Sequence, residues 1–299
     1  MSLFLNVILP IIAVFGAGFI LQRIKLIDVK SVSTVSLYIF LPALVFTKLY
    51  EASFDSSYTI IVIFACVQLA AMILLSKLAR RVFNWSHSVE SASILTSAFM
   101  NAGNYGVPII LFTMGDEAMP YAVFMMVIQT MFMNSFGVYY ASRSSSGIGQ
   151  AVKKVFKMPA TFAAIFAVIL QNISWEIPDS IYSTLTMLAG AAIPTMMVLL
   201  GMQLASITSI KFNWQVIITT VSIRMVIAPL IALGFIAFVD MDPIIGIVLI
   251  VVAAMPSAAT TTMYAIQFDT EPDLVSSITL VATIFSVLSL TVLLNVLPY

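Results

Sequence analysis

The chain has 299 residues, 61% of them hydrophobic and only 9% charged, and its mean hydropathy is +1.10. A soluble domain of this length cannot hide so much apolar surface, so the composition excludes an ordinary globular enzyme and points to an integral membrane protein. Basic and acidic residues balance at 13 each, which by itself says nothing about partners; the information lies in where the charges fall, and no nucleic-acid partner is expected.

Uncharged runs of 17 residues or more cover 2–22, 31–47, 56–76, 91–115, 118–142, 158–175, 180–210, 212–239 (interrupted by Arg224), 243–268 and 274–299. A spanning helix needs roughly 17–25 such residues, so an all-α protein of ten transmembrane helices is predicted. The first run has no basic start and no small-residue cleavage site, and reads as span 1 rather than as a signal peptide. Cys66, the only cysteine, lies within span 3 and can form no internal disulfide.

The connections between spans alternate in charge. Arg23, Lys25 and Lys30 lie in the first, Lys77, Arg80 and Arg81 in the third, Arg143, Lys153, Lys154 and Lys157 in the fifth, and Lys211 in the seventh. Only Lys48 falls in an even-numbered connection, and those are otherwise acidic: Asp55, Asp116, Glu117, Glu176, Asp179, Asp240 and Asp242. The positive-inside rule then puts the odd connections in the cytoplasm and both termini outside, in a multi-pass protein of the plasma (inner) membrane. The ninth connection, with Asp269, Glu271 and Asp273, carries no basic residue and dissents weakly from this orientation, since the rule weights Lys and Arg.

The polar stretch 143–157 divides the chain into spans 1–5 (1–142) and spans 6–10 (158–299), and the halves echo each other. Pro10 and Gln22 in span 1 correspond to Pro159 and Gln171 in span 6, and Pro42 in span 2 corresponds to Pro194 in span 7. The break after Met100 in span 4 corresponds to the break after Met255 in span 9. Five is odd, so the second half enters the membrane from the opposite side, which makes the predicted repeat inverted, five plus five.

Span 4 carries Asn101, Gly103, Asn104, Gly106 and Pro108 in the middle of an uncharged run. Polar backbone facing lipid is prohibitive, so a helix broken at that depth must line a cavity walled by protein. Such breaks point to a transporter's substrate site. Span 9 breaks at Pro256, and the two breaks, antiparallel, are expected to meet near the midplane. Pro108 suits the first turn of one outgoing half-helix, and Ser257 suits the cap of the other. The two N-terminal tips would then favour an anion. Asn101, Asn104, Tyr105, Ser257, Thr260, Thr261 and Thr262, with Gln129 and Asn134 of span 5, are the neutral polar side chains expected nearby. The breaks themselves are assigned to Gly106, Pro108 and Pro256. Arg224 is the one basic residue well inside a span; it either balances a substrate anion, snorkels, or satisfies carbonyls freed by a break.

No Asp or Glu lies in the middle of a span, so a paired-carboxylate ion relay has no candidates. His87 is placed in a cytoplasmic connection. Motifs for a zinc hydrolase, a serine hydrolase or a P-loop ATPase are absent from the sequence, so neither an enzyme nor a cofactor or metal site is expected.

These residues give the chain a resemblance to the auxin efflux carrier family, the plant PIN carriers and their bacterial relatives. Leu41, Pro42, Ala43 and Leu44 are similar to the family's span 2 signature. Asn101 with Gly106, Val107 and Pro108 resembles its first crossover; Met255 and Pro256, then Glu271 to Ser276, resemble its second crossover and the start of the last helix. Without a long central hydrophilic loop, the chain looks like a short-loop bacterial member. The resemblance implies a fold related to bile-acid symporters and sodium/proton antiporters, with a scaffold of spans 1, 2, 6 and 7, dimeric, against which a transport unit of spans 3–5 and 8–10 slides. It implies a small organic anion as substrate, auxin-like or malonate- and malate-like. A sodium-coupled carrier of the bile-acid type and a channel remain as alternatives. Beyond that anion, membrane lipid and a second copy are the expected partners.

Overall fold

A computed structural model describes residues 7–142, 159–173, 175–207 and 210–297. The stretch 143–157, expected to be a cytoplasmic linker, lies outside the described residues. Among those described, the chain is helical throughout. In order the helices are α1 (Leu9–Lys25), α2 (Val29–Tyr50), α3 (Ser56–Phe83), α4 (His87–Ala98), α5 (Ala102–Met114) and α6 (Asp116–Ser142). They continue with α7 (Pro159–Asn172), α8 (Asp179–Ala205), α9 (Trp214–Phe238), α10 (Pro243–Ala253), α11 (Thr260–Phe268) and α12 (Pro272–Val296). Six of them, α2, α3, α6, α8, α9 and α12, are long and apolar enough to cross a membrane. The apolar runs 91–115 and 243–268 are each divided between two helices, α4 with α5 and α10 with α11.

Short polar connections start the helices. Asp55 caps α3 by accepting from Ser57 N at 2.9 Å, Ser86 caps α4 by accepting from Val89 N at 3.2 Å, and Asp242 caps α10 by accepting from Ile244 N at 2.8 Å. Each satisfies a backbone donor that the first turn leaves without an intrahelical partner. His87, expected in a connection, is instead the first residue of α4, with its Nε2 2.9 Å from Arg80 Nη2. The Ser86 cap explains the difference, because it starts the helix at the next residue. Arg80 also pairs with buried Glu90 at 3.1 Å, tying the end of α3 to the start of α4.

Helices α1, α2, α7 and α8 pack chiefly on one another. The contact between α1 and α8 is backbone to backbone: a Cβ on Gly18 would lie 2.1 Å from Val198 O, and one on Gly201 would lie 1.9 Å from Phe15 O. Small residues of this kind let apolar helices approach where lipid supplies no hydrophobic drive. Helices α3, α4, α9 and α12 make a second group with its own buried cluster, which includes Leu69, Leu95, Phe99, Ile217 and Ile278. Large apolar side chains stand on the outer surface, with Leu74, Phe166, Ile284 and Leu288 more than half exposed, as a lipid-facing surface requires.

Among the described residues, π-helical turns lie at Ser36–Phe40 in α2, Ala102–Gly106 opening α5, Met133–Gly137 in α6 and Ile223–Ile227 in α9. Such turns widen a helix locally and gather at functional positions. Here they carry Ser36, Asn104, Asn134 and Arg224.

Candidate functional site

Both interrupted segments cross at one point. The chain leaves α4 through extended Phe99 and enters α5 after Asn101 (φ −80°, ψ 63°). Met100 and Ser257 form an isolated antiparallel bridge, in which Asn101 N donates to Pro256 O at 2.8 Å and Ala258 N donates to Phe99 O at 2.9 Å. Each break thus supplies partners for the backbone groups the other has freed, which is the condition for non-helical backbone at membrane depth. Gly106 lies against this crossing, where an added Cβ would come within 3.3 Å of Met255 Cγ.

The end of α4 leaves carbonyls without intrahelical donors, and three side chains take them. Ser257 Oγ donates to Thr96 O at 2.5 Å, Arg224 Nη1 to Ser97 O at 2.9 Å, and Gln129 Nε2 to Ala98 O at 3.2 Å. Arg224 also donates through Nη2 to Ala253 O at the end of α10. It is completely buried. Each helix C-terminus carries about half a negative elementary charge, so one guanidinium between two of them is close to balanced. Of the three roles considered for Arg224, the geometry gives the third: it satisfies carbonyls freed by the breaks.

The second half-helix of the first crossing starts earlier than its proline suggests. Pro108 lies inside α5, just beyond the π-turn Ala102–Gly106, and the free tip is at residues 102–104. The wider π-turn absorbs the missing proline donor, so the helix need not begin there. The break itself therefore occupies 99–101, with Gly106 and Pro108 in the wound part of α5, whereas Pro256 lies within the second break.

A cavity of about 210 Å³ opens at the crossing. Of the sequence candidates it is lined by Asn101, Asn104, Gln129 and Thr260, and also by Asn134. Asn101 is buried, and among the described residues its side-chain amide has no hydrogen-bond partner within the protein. Asn104 Nδ2 donates to Gln203 Oε1 at 3.5 Å, and Tyr264 OH donates to Asn134 Oδ1 at 2.6 Å. No charged side chain lines this cavity among the described residues.

Other candidates lie off the cavity. Tyr105 turns towards α1 and α12, its ring edge-on to Phe15 at 5.1 Å and its hydroxyl accepting from Ser286 Oγ at 3.2 Å. Thr261 Oγ1 donates to Ala258 O at 2.7 Å and closes the first turn of α11. Ser257 and Arg224 are engaged with the helix ends. Conversely, Ser33, Ser36, Thr130, Gln203 and Tyr264 line the cavity without having been singled out in the sequence. Ser33 Oγ is buried with no partner. The available signal was one polar residue at a time in apolar helices, as with Gln203 near the end of run 180–210.

A family model described as a membrane transport protein (Mem_trans) matches residues 3–148 and 143–294. An uncharacterized transporter of Methanothermobacter thermautotrophicus is 26% identical over 293 residues, covering 95% of each chain. An uncharacterized transporter of Methanocaldococcus jannaschii is 27% identical over 274 residues, covering 87% of this chain and 86% of that one.

Proposed function

The chain belongs to the Mem_trans family of membrane transport proteins, the family of the PIN-like auxin efflux carriers, and on that premise we propose that it is a secondary carrier of a small organic anion. The observation that carries this reading is the uncharged polar cavity beside two crossed helix breaks, with the free amide of Asn101 in its wall. The tips of α5 and α11 adjoin it, since Ala102, Asn104 and Thr260 all line it. Their aligned peptide dipoles favour negative charge. Arg224 supports the same reading indirectly, because it compensates the two helix ends of opposite polarity and leaves the positive tips unopposed.

The cavity is smaller than the roughly 300–1,000 Å³ of sites for drug-sized ligands, which favours a malonate- or malate-like carboxylate over an indole acid. In this reading the molecule has ten spans in an inverted five-plus-five repeat. Helices α1, α2, α7 and α8 form the scaffold, dimeric in the plasma membrane with odd connections cytoplasmic, and the remaining helices form a transport unit that carries the crossing past it. The glycine-tight α1–α8 contact suits a rigid scaffold. The facing surface is rich in flexible thioethers, with Met126, Met196 and Met263 around the cavity, and suits sliding.

The test is uptake and counterflow of labelled mono- and dicarboxylates in proteoliposomes, with thermal-shift screening of the same compounds. Saturable exchange of a small carboxylate is expected. Asn101→Ala should weaken binding by roughly 10–100-fold, the worth of a hydrogen bond to a charged group, without unfolding the protein. Unchanged transport in folded Asn101→Ala protein overturns the assignment.

A further inference from the structure

Lys48, expected as the one basic residue of the even-numbered connections, belongs instead to a helix, and the structure pairs it with α6. It lies in the last turn of α2, and its Nζ is 2.7 Å from Oδ1 of Asp116, the first residue of α6. The pair therefore joins the scaffold to the segment leaving crossover half-helix α5. It borders a cavity of about 460 Å³ between α1, α2 and α8 on one side and α5 and α6 on the other. The charged side chains lining that cavity are Lys48, Asp116 and Glu51, and Glu51 accepts a hydrogen bond from the Tyr182 hydroxyl of α8. The crossing cavity adjoins a neighbour towards the opposite end of the molecule. It shares Gln203 and Met263 with a third cavity of about 290 Å³ that reaches Val29, Ser206 and Pro272. Among the described residues, none is shared between the crossing cavity and the one beside Lys48.

We propose that Lys48 is an anion-receiving residue on its face of the carrier: Asp116 occupies it in the state seen here, and the substrate carboxylate replaces Asp116 when the crossing opens to that face. The inference rests on the carrier reading above. Asp116 and the substrate offer the same chemistry, a carboxylate, and sliding of the transport unit necessarily takes Asp116 away from Lys48. The freed ammonium sits where the cavity wall has already assembled around it. The pair also acts as a latch, and because the Asp116 carboxylate is largely exposed, breaking it shifts the two-state balance by roughly two- to fivefold.

Two measurements test this. In a Cys66→Ser, Thr130→Cys background, a membrane-impermeant thiol reagent added from the Lys48 face reports opening of the crossing without any substrate, because Thr130 lines the crossing cavity from α6 and moves with the transport unit. Asp116→Asn and Lys48→Met should each speed that labelling by roughly two- to fivefold, and unchanged rates overturn the latch. Malonate transport is then compared in right-side-out and inside-out vesicles. Lys48→Met should raise KM for malonate entering from its own face by roughly tenfold, as expected for a lost charge-assisted hydrogen bond. Entry from the other face should keep its KM, and Lys48→Arg should restore the first value. A KM that stays unchanged, or rises equally on both faces, overturns the handover. If the unaltered protein moves neither malonate nor any other carboxylate, the carrier reading itself falls, while the labelling still decides whether the latch exists.

Discussion

Arg224 Nη1 donates to the carbonyl of Ser97 at 2.9 Å, a bond between residues of α9 and α4 inside a completely buried environment. With the second bond to Ala253 O, the guanidinium holds together the ends of α4 and α10 where they stop at the crossing. Removing it leaves two buried carbonyls unpaired, each worth about 1–3 kcal/mol. Arg224→Met is expected to destabilise the protein by about 3 kcal/mol in thermal unfolding. Arg224→Lys should recover only part of that, since one ammonium lacks the planar fork that reaches both carbonyls. Equal stability of the methionine variant would contradict this role.

The two breaks were legible because amides, glycine and proline stand out in an uncharged run. What those polar side chains do was not legible. Ser257, Arg224 and Gln129 have the composition of ligand groups, yet they donate to the last three carbonyls of α4. A cap and a ligand differ only in where a neighbouring helix ends, which no local pattern records. The start of α5 at Ala102 was hidden for a similar reason: a π-turn shifts the helix end away from the proline that normally marks it. Ser33 and Gln203 were missed because they reach the cavity from helices whose packing depends on contacts distant in sequence.

The α1–α8 contact makes a sharp steric prediction. At Gly201 a Cβ would sit 1.9 Å from the Phe15 carbonyl oxygen, and backbone cannot move aside as a side-chain tip can. Gly201→Ala should cost about 3 kcal/mol, at the upper end for overpacking. Gly234→Ala in α9 is the matched control. Nothing lies within 4 Å of its added Cβ, so the helix should gain up to about 1 kcal/mol from lost backbone freedom. Denaturation in detergent compares the two.

A pH effect is expected at the start of α2, which carries Ser33 and Ser36 to the cavity. The Asp28 carboxylate accepts from Ser31 Oγ at 2.6 Å, from Lys30 N at 3.1 Å and from Ser31 N at 3.2 Å. The Ser31 hydroxyl, and then the backbone amides, hold its pKa below the ordinary 3.8. A depressed folded value means the cap contributes above the unfolded value and is lost as pH falls through the folded one. Hydrogen exchange at the Ser31 and Val32 amides should therefore accelerate, relative to its intrinsic rate, only at the acid end. Asp28→Asn keeps a capping side chain without the titration, and its protection should be flat over the same range.

Tyr264 and Asn134 should behave as a unit apart from Asn101. Both ends of the Asn134 amide are engaged within the protein: Oδ1 accepts from the Tyr264 hydroxyl at 2.6 Å, and Nδ2 donates to Thr130 O at 2.8 Å. The Asn101 amide lines the cavity free of such bonds, and in the proposed reading it is the group that meets the ligand. Asn134 and Tyr264 instead fix the wall between α6 and α11, so their loss changes the shape of the cavity rather than removing a direct contact. Tyr264→Phe should lower carboxylate affinity by about 2–10-fold, the range for one neutral hydrogen bond. In a double-mutant cycle, Tyr264→Phe and Asn134→Leu should couple by about 1 kcal/mol because they delete the same bond. Tyr264→Phe and Asn101→Ala should add to within about 0.5 kcal/mol. Strong coupling of Tyr264 to Asn101 would mean that the hydroxyl itself meets the ligand, and the division between wall and ligand group would have to be redrawn.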